Sequence, residues 1–203
     1  MKYYIADCHF GHDKVRILDG RKFEDSAQMD EAMITAWNET VQKKKDEVFI
    51  LGDLALYKGE QVNELLNRLN GKKYLITGNH DSRFIRDKKF DSSLFEWIEP
   101  YAEIKDNGRK VVMCHYPIIC YNGQYHGEKS VYMLYGHVHN SKDYENVKKF
   151  VKQSRETVIE DCNMPENKEG RIRSLSCNLI NCFTVFSDYH PLTLDEWISK
   201  AEI

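Results

Sequence analysis

Apolar residues in this chain come in short runs, and each run ends on a polar cluster. Tyr3 to Ala6 stops at Asp7-Cys8-His9, Val48 to Leu51 at Gly52-Asp53, and Tyr74 to Thr77 at Gly78-Asn79-His80-Asp81. Such runs, bounded by turn formers, predict short buried strands. Between them lie helical patterns. Met29, Met33, Trp37 and Val41 recur every four residues, with Ala32 and Ala36 beside them, so this Met and Trp stripe belongs in the core. Val62, Leu65, Leu66 and Leu69 mark a second helix from Gly59 to Leu69, with Gly71 as its stop signal. Strand, helix, strand, helix, strand predicts an α/β layered fold.

The segment Phe84 to Trp97 predicts a weakly patterned helix. Tyr101 to Lys105 and Lys110 to Cys114, joined through Asp106-Asn107-Gly108, predict a hairpin whose second strand ends at His115. Val131 to Tyr135 predicts a strand ending at Gly136-His137-Val138-His139. Tyr144 to Arg155 is an amphipathic helix pattern, with Val147, Phe150 and Val151 on one side. Asp161 to Arg173 is polar, holds Pro165 and Gly170, and is expected to be mobile. Ser174 to Ser187 predicts two closing strands, and Thr193 with Glu196 forms a capping box for a last helix. With no internal repeat and no linker, residues 1–203 predict a single domain.

Composition narrows the classes. A hydrophobic content of 41% with 30% charged residues is that of an ordinary globular chain, and a net charge of −3 gives no general attraction to nucleic acid or membrane. No apolar run approaches the roughly 20 residues that span a bilayer, and the first strand begins too early for a secretory signal. The six cysteines form no C-x-x-C pair, which fits reduced thiols in a cytoplasmic protein, with Cys8 a small buried residue.

The polar clusters carry the chemistry. Asp7, His9, Asp53, Asn79, His115, His137 and His139 offer oxygen and imidazole donors, too many for one divalent ion and suited to two that share a bridge. Such a pair polarises a phosphoryl group and lowers the pKa of a bridging water, so that hydroxide can attack in line. The mixed donors favour manganese, iron or zinc, with magnesium or nickel still open.

The ordered set D-x-H, G-D, G-N-H-D, H and G-H-x-H, carried here by Asp7, His9, Gly52, Asp53, Gly78, Asn79, His80, Asp81, His115, Gly136, His137 and His139, resembles the calcineurin-like metallophosphoesterase superfamily. The run Asp7 to His12, Trp37-Asn38 and the tail Tyr189 to Glu196 look like its small single-domain bacterial and phage members. The resemblance implies two packed mixed β-sheets flanked by helices, a four-layer sandwich with its site at the strand ends. It implies that Asp7, His9 and His139 hold one metal, that Asn79, His115 and His137 hold the other, and that Asp53 bridges them. His80 would bond the phosphate or protonate the leaving oxygen, with Asp81 orienting its ring. Asp53 is followed by Leu54-Ala55-Leu56-Tyr57, not by the Asp-Arg-Gly of the protein phosphatase branch.

The expected activity is hydrolysis of a small phosphate ester, monoester or diester, with a nucleotide-type diester the narrower reading. The alternatives are a binding module that kept the scaffold without catalysis, and a small nuclease. His12 and Arg83 are candidate phosphate contacts; Arg16 and Arg21 could also neutralise phosphate charge, and for all three arginines a solvated or ion-paired role is the readier reading. His126 reads as a surface residue. The Lys148, Lys149, Lys152 and Arg155 face reads as an exposed helix side, so nucleic acid is a disfavoured partner.

Overall fold

Side chains alternate along each central strand, and the alternation sorts them into different cores. The computed structural model of the chain describes residues 1–124, 130–160, 172–174 and 176–201. Strands β1 (Lys2–Ile5), β2 (Glu47–Ile50), β3 (Lys72–Ile76) and β4 (Trp97–Glu99) form one parallel sheet in that order. Helices α1 (Asp13–Leu18), α2 (Ser26–Thr40), α3 (Gly59–Arg68) and α4 (Ser82–Ile85) lie between these strands in the chain. Next come β5 (Tyr101–Asp106), β6 (Arg109–Cys114), β7 (Val131–Tyr135), α5 (Lys142–Glu156), β8 (Val158–Glu160), β9 (Ile172–Ser174), β10 (Leu179–Asn181) and α6 (Leu194–Lys200). The second sheet has the order β10-β7-β6-β5, with only β5 and β6 antiparallel. The expected mix of strand directions is therefore confined to this sheet. Strands β8 and β9 make a separate antiparallel pair.

The period of two decides the layers. Tyr3, Ile5, Val48, Ile50 and Leu75 face outward from the first sheet, onto Met29, Met33 and Trp37 of α2 and Val62, Leu65 and Leu66 of α3. Their neighbours Tyr4, Phe49, Leu51 and Ile76 face the other way and meet Val111, Met113, Tyr132, Leu134 and Ile180 of the second sheet. That sheet's opposite face, with Val112, Val131, Met133, Tyr135 and Leu179, takes Tyr144, Val147, Phe150 and Val151 of α5. Helix, sheet, sheet, helix is the four-layer order.

The caps and turns are local. Asp25 caps α2 by accepting from the Gln28 amide, and Thr193 and Glu196 form the expected capping box on α6. Asn107 and Gly108 both have positive φ, 47° and 80°, as a tight hairpin turn requires. The Trp197 indole N–H donates to Tyr4 O at 2.9 Å and ties α6 to β1.

Two expectations need correction, and one helix goes unpredicted. Residues 84–97 are not one helix. They hold the end of α4, a 3₁₀ turn at Ser92–Leu94 and the start of β4. Phe84, Phe90 and Phe95 pack on one another at spacings of six and five, which no helix presents on one face. The closing segment gives one strand of the second sheet, β10, followed by a 3₁₀ turn at Thr184–Ser187. Finally, α1 had no sequence prediction, because Ile17 and Leu18 stay 68% and 80% exposed and leave no apolar stripe. The mobile segment expected over 161–173 and the surface His126 lie outside the described residues, apart from the β9 backbone.

Candidate metal centre

Every predicted donor sits just past a strand end, and the backbone there is unusual. Asp7, His9, Asp53, His137 and His139 all have φ between 46° and 70°, the left-handed region that non-glycine residues rarely adopt. Such turns swing successive side chains toward one point. They also need room, and three glycines supply it. A Cβ on Gly78 would collide with Asp53 Oδ1, and one on Gly52 with the His115 ring. A Cβ on Gly136 would stand 2.6 Å from Asp7 Oδ2. The sequence suggested Gly78 as a sharp turn, but its φ is not positive, and what demands glycine there is the approach of Asp53.

Asp53 is the hub. Its Oδ1 accepts the His80 backbone N–H at 2.9 Å. Its Oδ2 faces three imidazole Nε2 atoms, His115 at 3.5 Å, His9 at 3.7 Å and His80 at 3.9 Å. To one side, His9 Nε2 stands 3.1 Å from His139 Nε2, which lies 3.6 Å from Asp7 Oδ1. To the other, Asn79 Oδ1 stands 3.0 Å from His137 Nδ1 and 3.1 Å from His115 Nε2. Ligands on one cation with bonds near 2.1 Å at tetrahedral or octahedral angles lie about 3.0–3.4 Å apart. The donor separations therefore fit divalent cations at this point. Among the described residues, Asp7, His9 and His139 form one group that could hold a metal ion, and Asp7, Asp53 and His115 form another. Both groups contain Asp7, whose two carboxylate oxygens also accept the His137 N–H at 3.0 Å.

The field is uneven. Burial raises the Asp53 carboxyl, but the His115 hydrogen bond and charge outweigh it and bring the pKa down to about 2. Burial takes His9 down to about 2. His139 is also pulled down by burial, yet the hydrogen bonds it donates to Asp19 and Asp7 win and lift it to about 9. Burial lowers His137 and His12 as well.

Asp81 departs from the expected role. Its oxygens accept three backbone N–H groups, from Gly78 at 2.8 Å and from Asp53 and Leu54 at 2.9 Å. Asp81 is fully buried, and desolvation raises its carboxyl to about 6. It therefore staples the Gly52–Asp53 turn to the Gly78 turn and does not orient the His80 ring.

His9, Asp53, Asn79, His137, His139 and His80 open into a cleft of about 460 Å³, lined also by His12, Asp19, Asn140 and Ser141, whereas Asp7 and His115 are fully buried and do not line it. His12 Nδ1 lies 3.4 Å from His9 Nδ1, and its ring centroid is 5.9 Å from that of His80. Arg83 is exposed on α4 and is not among the lining residues. Arg16 pairs with Asp13, and Lys148 and Lys152 pair with Glu145 and Glu156, so these cations face their own helix neighbours.

Sequence reasoning missed the groups behind the donors. Asp30, buried on α2, accepts the Gly11 N–H at 3.0 and 3.1 Å and the Tyr57 hydroxyl at 2.6 Å, and so fixes the loop that carries His12. An acid on the inward face of a helix was the available signal. Asp19 and Asn181 also reach the site, bonding His139 Nδ1 and His139 O respectively. Neither lies in a recognisable motif.

Residues 3–166 match the family model described as calcineurin-like phosphoesterase. The chain belongs to the calcineurin-like phosphoesterase family. Members of that family act on phosphate esters and usually bind divalent metals, as the donors here would allow. This phosphoesterase is 34% identical over 139 residues to an uncharacterized protein of Methanocaldococcus jannaschii, covering 68% of each chain. Its fold is similar to the crystal structure of a protein of unknown function from Aquifex aeolicus, with a TM-score of 0.62, 23% identity and coverage of 99% of this chain and 98% of that one. No helix among the described residues is long and apolar enough to cross a membrane.

Proposed function

We propose that this phosphoesterase is a binuclear hydrolase of a small phosphate ester, with a phosphodiester or nucleotide-type substrate. The observation that carries the reading is the clustering of seven donors from five strand-end loops, with Asp53 as their hub and the other six split between two sides. On this reading Asp7, His9 and His139 hold one ion, Asn79, His115 and His137 hold the other, and Asp53 is shared. Manganese, iron or zinc suits these nitrogen and oxygen donors. Two such ions, when bound, supply electrophilic pull on the phosphoryl oxygens and an acidified water.

The chain's own residues do the rest. The amide of His80 holds Asp53 Oδ1, so Oδ2 stays turned toward the imidazoles. The ring of His80 lies at the cleft wall, 41% exposed, where its Nε2 can donate to a phosphate oxygen or protonate the departing alkoxide. On the same reading His12, whose ring centroid is 5.9 Å from that of His80, would donate to the ester, with Arg83 a more distant candidate outside the cleft lining. Asp81 keeps the two metal-bearing turns in register. A cytoplasmic site of action is consistent with the five described cysteines, all of which are free thiols.

The test is an assay of metal-stripped protein against bis-p-nitrophenyl phosphate and p-nitrophenyl phosphate, with Mn²⁺, Zn²⁺ or Mg²⁺ added in turn. Turnover should require metal. His80→Ala should lose about 10²- to 10⁴-fold in kcat, the usual weight of an acid–base group, and Asp53→Asn should lose activity together with bound ions. A protein that binds two ions yet turns over neither substrate would favour the binding-module reading.

A further inference from the structure

The two sides of the centre are backed differently. On one side His115 Nδ1 bonds a neutral backbone carbonyl, Leu51 O, at 2.8 Å. On the other, His139 Nδ1 bonds a carboxylate oxygen, Asp19 Oδ1, at 2.8 Å. The second carboxylate oxygen, Asp19 Oδ2, is gripped by Arg21, whose Nε and Nη2 donate at 3.0 and 2.9 Å. The remaining Arg21 donors reach back under the other ligands, with Nη2 to Asp7 O at 2.9 Å and Nη1 to Cys8 O at 2.8 Å. Arg21 is itself buried. One guanidinium thus links the left-handed turn of Asp7 and His9 to the carboxylate that backs His139. The His139 ring is also stacked on Phe183, with centroids 4.6 Å apart and planes 18° from parallel. Its plane and its tautomer are both fixed from outside the donor set.

We infer that Asp19, clamped by Arg21, is a positioning residue that selectively strengthens the Asp7–His9–His139 cation position and leaves the Asn79–His115–His137 position to weaker, neutral backing. The inference rests on the proposed binuclear reading. Its physical basis is that a carboxylate accepting from Nδ1–H orients the ring, keeps Nε2 as the free lone pair and makes that lone pair a stronger donor than a carbonyl does. Asp19 lines the cleft and its side chain is little exposed, so Asp19→Asn keeps the volume while removing the charge.

The experiment is a Mn²⁺ titration of the metal-stripped protein, read by calorimetry and by the electron paramagnetic resonance of free and bound Mn²⁺. The wild type should bind two ions and give the signal of a spin-coupled pair. Asp19→Asn should weaken one ion about 10- to 100-fold, the usual weight of such a supporting contact, keep the other at wild-type affinity, and show an uncoupled signal at intermediate Mn²⁺. Two ions at wild-type affinities, or equal weakening of both, would overturn the inference and leave the binuclear reading standing. A wild type that binds no ion would overturn both. A purely structural role would lower thermal stability without splitting the two affinities. If Asp19→Asn fails to fold, nitrogen-correlated NMR of the zinc-loaded wild type decides. A hydrogen-bonded proton on His139 Nδ1 supports the assignment, and a proton-free Nδ1 defeats it.

Discussion

The outer layers of the two sheets differ in depth. Helix α2 lays Met29, Met33, Ile34, Ala36 and Trp37 fully into the first flank, and α3 adds Val62, Leu65 and Leu66. Helix α5 covers the second flank with Tyr144, Val147, Phe150 and Val151, all only half-buried, and its one buried residue is Ser154. The site draws on both. Asp7, His9, Asp53 and Asn79 follow strands of the deep flank, whereas His115, His137 and His139 follow strands of the shallow one. Each side of the proposed centre therefore takes donors from both flanks, Asp7 and His9 with His139 on one, and Asn79 with His115 and His137 on the other.

Truncating the deep flank should have the largest effect. Trp37→Ala should cost about 3–5 kcal/mol in denaturant unfolding, as large aromatic deletions in full cores do. Phe150→Ala should cost about 1–2 kcal/mol, because much of its surface already meets water. Equal costs would erase the contrast. Glycine substitutions sharpen it at the site. Gly78→Ala drives a methyl into Asp53, so it should cost about 1–3 kcal/mol in stability and sharply reduce bound metal in a stoichiometry measurement. Gly108→Ala, in the second sheet's hairpin with nothing within 4 Å, should cost only the positive-φ penalty of about 1–2 kcal/mol and leave metal content unchanged.

Acid separates the deep-flank carboxylates next. The folded pKa of Asp53, about 2, lies below its ordinary 3.8, so its contribution is full above pH 4 and is lost as pH falls toward 2. For Asp81 the sign reverses. Its folded pKa of about 6 means that the folded chain holds the proton more tightly, so stability declines as pH rises from about 4 to about 6. Thermal unfolding of metal-free protein across pH 2–7 reads both limbs. The acid limb should flatten in Asp53→Asn by the order of 1–2 kcal/mol, and the limb between pH 4 and 6 should persist.

The strands were legible because each alternates between two apolar surroundings, as in Tyr3-Tyr4-Ile5, and the alternation was unbroken up to the polar cluster. The donor loops were legible because His115 and the His137–His139 pair close their strands as abruptly as Asp7 does. What failed had no period to show. The Phe84, Phe90 and Phe95 cluster is assembled by a chain that turns twice, and helix-length apolar content was mistaken for a helix. Asp19, Asp30 and Asp81 were beyond sequence reading for another reason. An acid's role here is set by which backbone amide, hydroxyl or ring the fold brings to it. Asp81 lies in the most recognisable stretch of the chain, and its oxygens accept from the amides of Gly78, Asp53 and Leu54.

Left-handed backbone at five donors has a thermodynamic consequence. Each such residue raises the energy of the folded state by about 1–3 kcal/mol, in a protein class whose whole margin is about 5–15 kcal/mol. Ligands that bind only the folded chain offset this by mass action, in proportion to the logarithm of their concentration. If the centre takes cations as proposed, the protein is in part a reporter of divalent-ion supply. Its folded fraction, and so its resistance to proteolysis, would fall when those ions are scarce, before any substrate is involved.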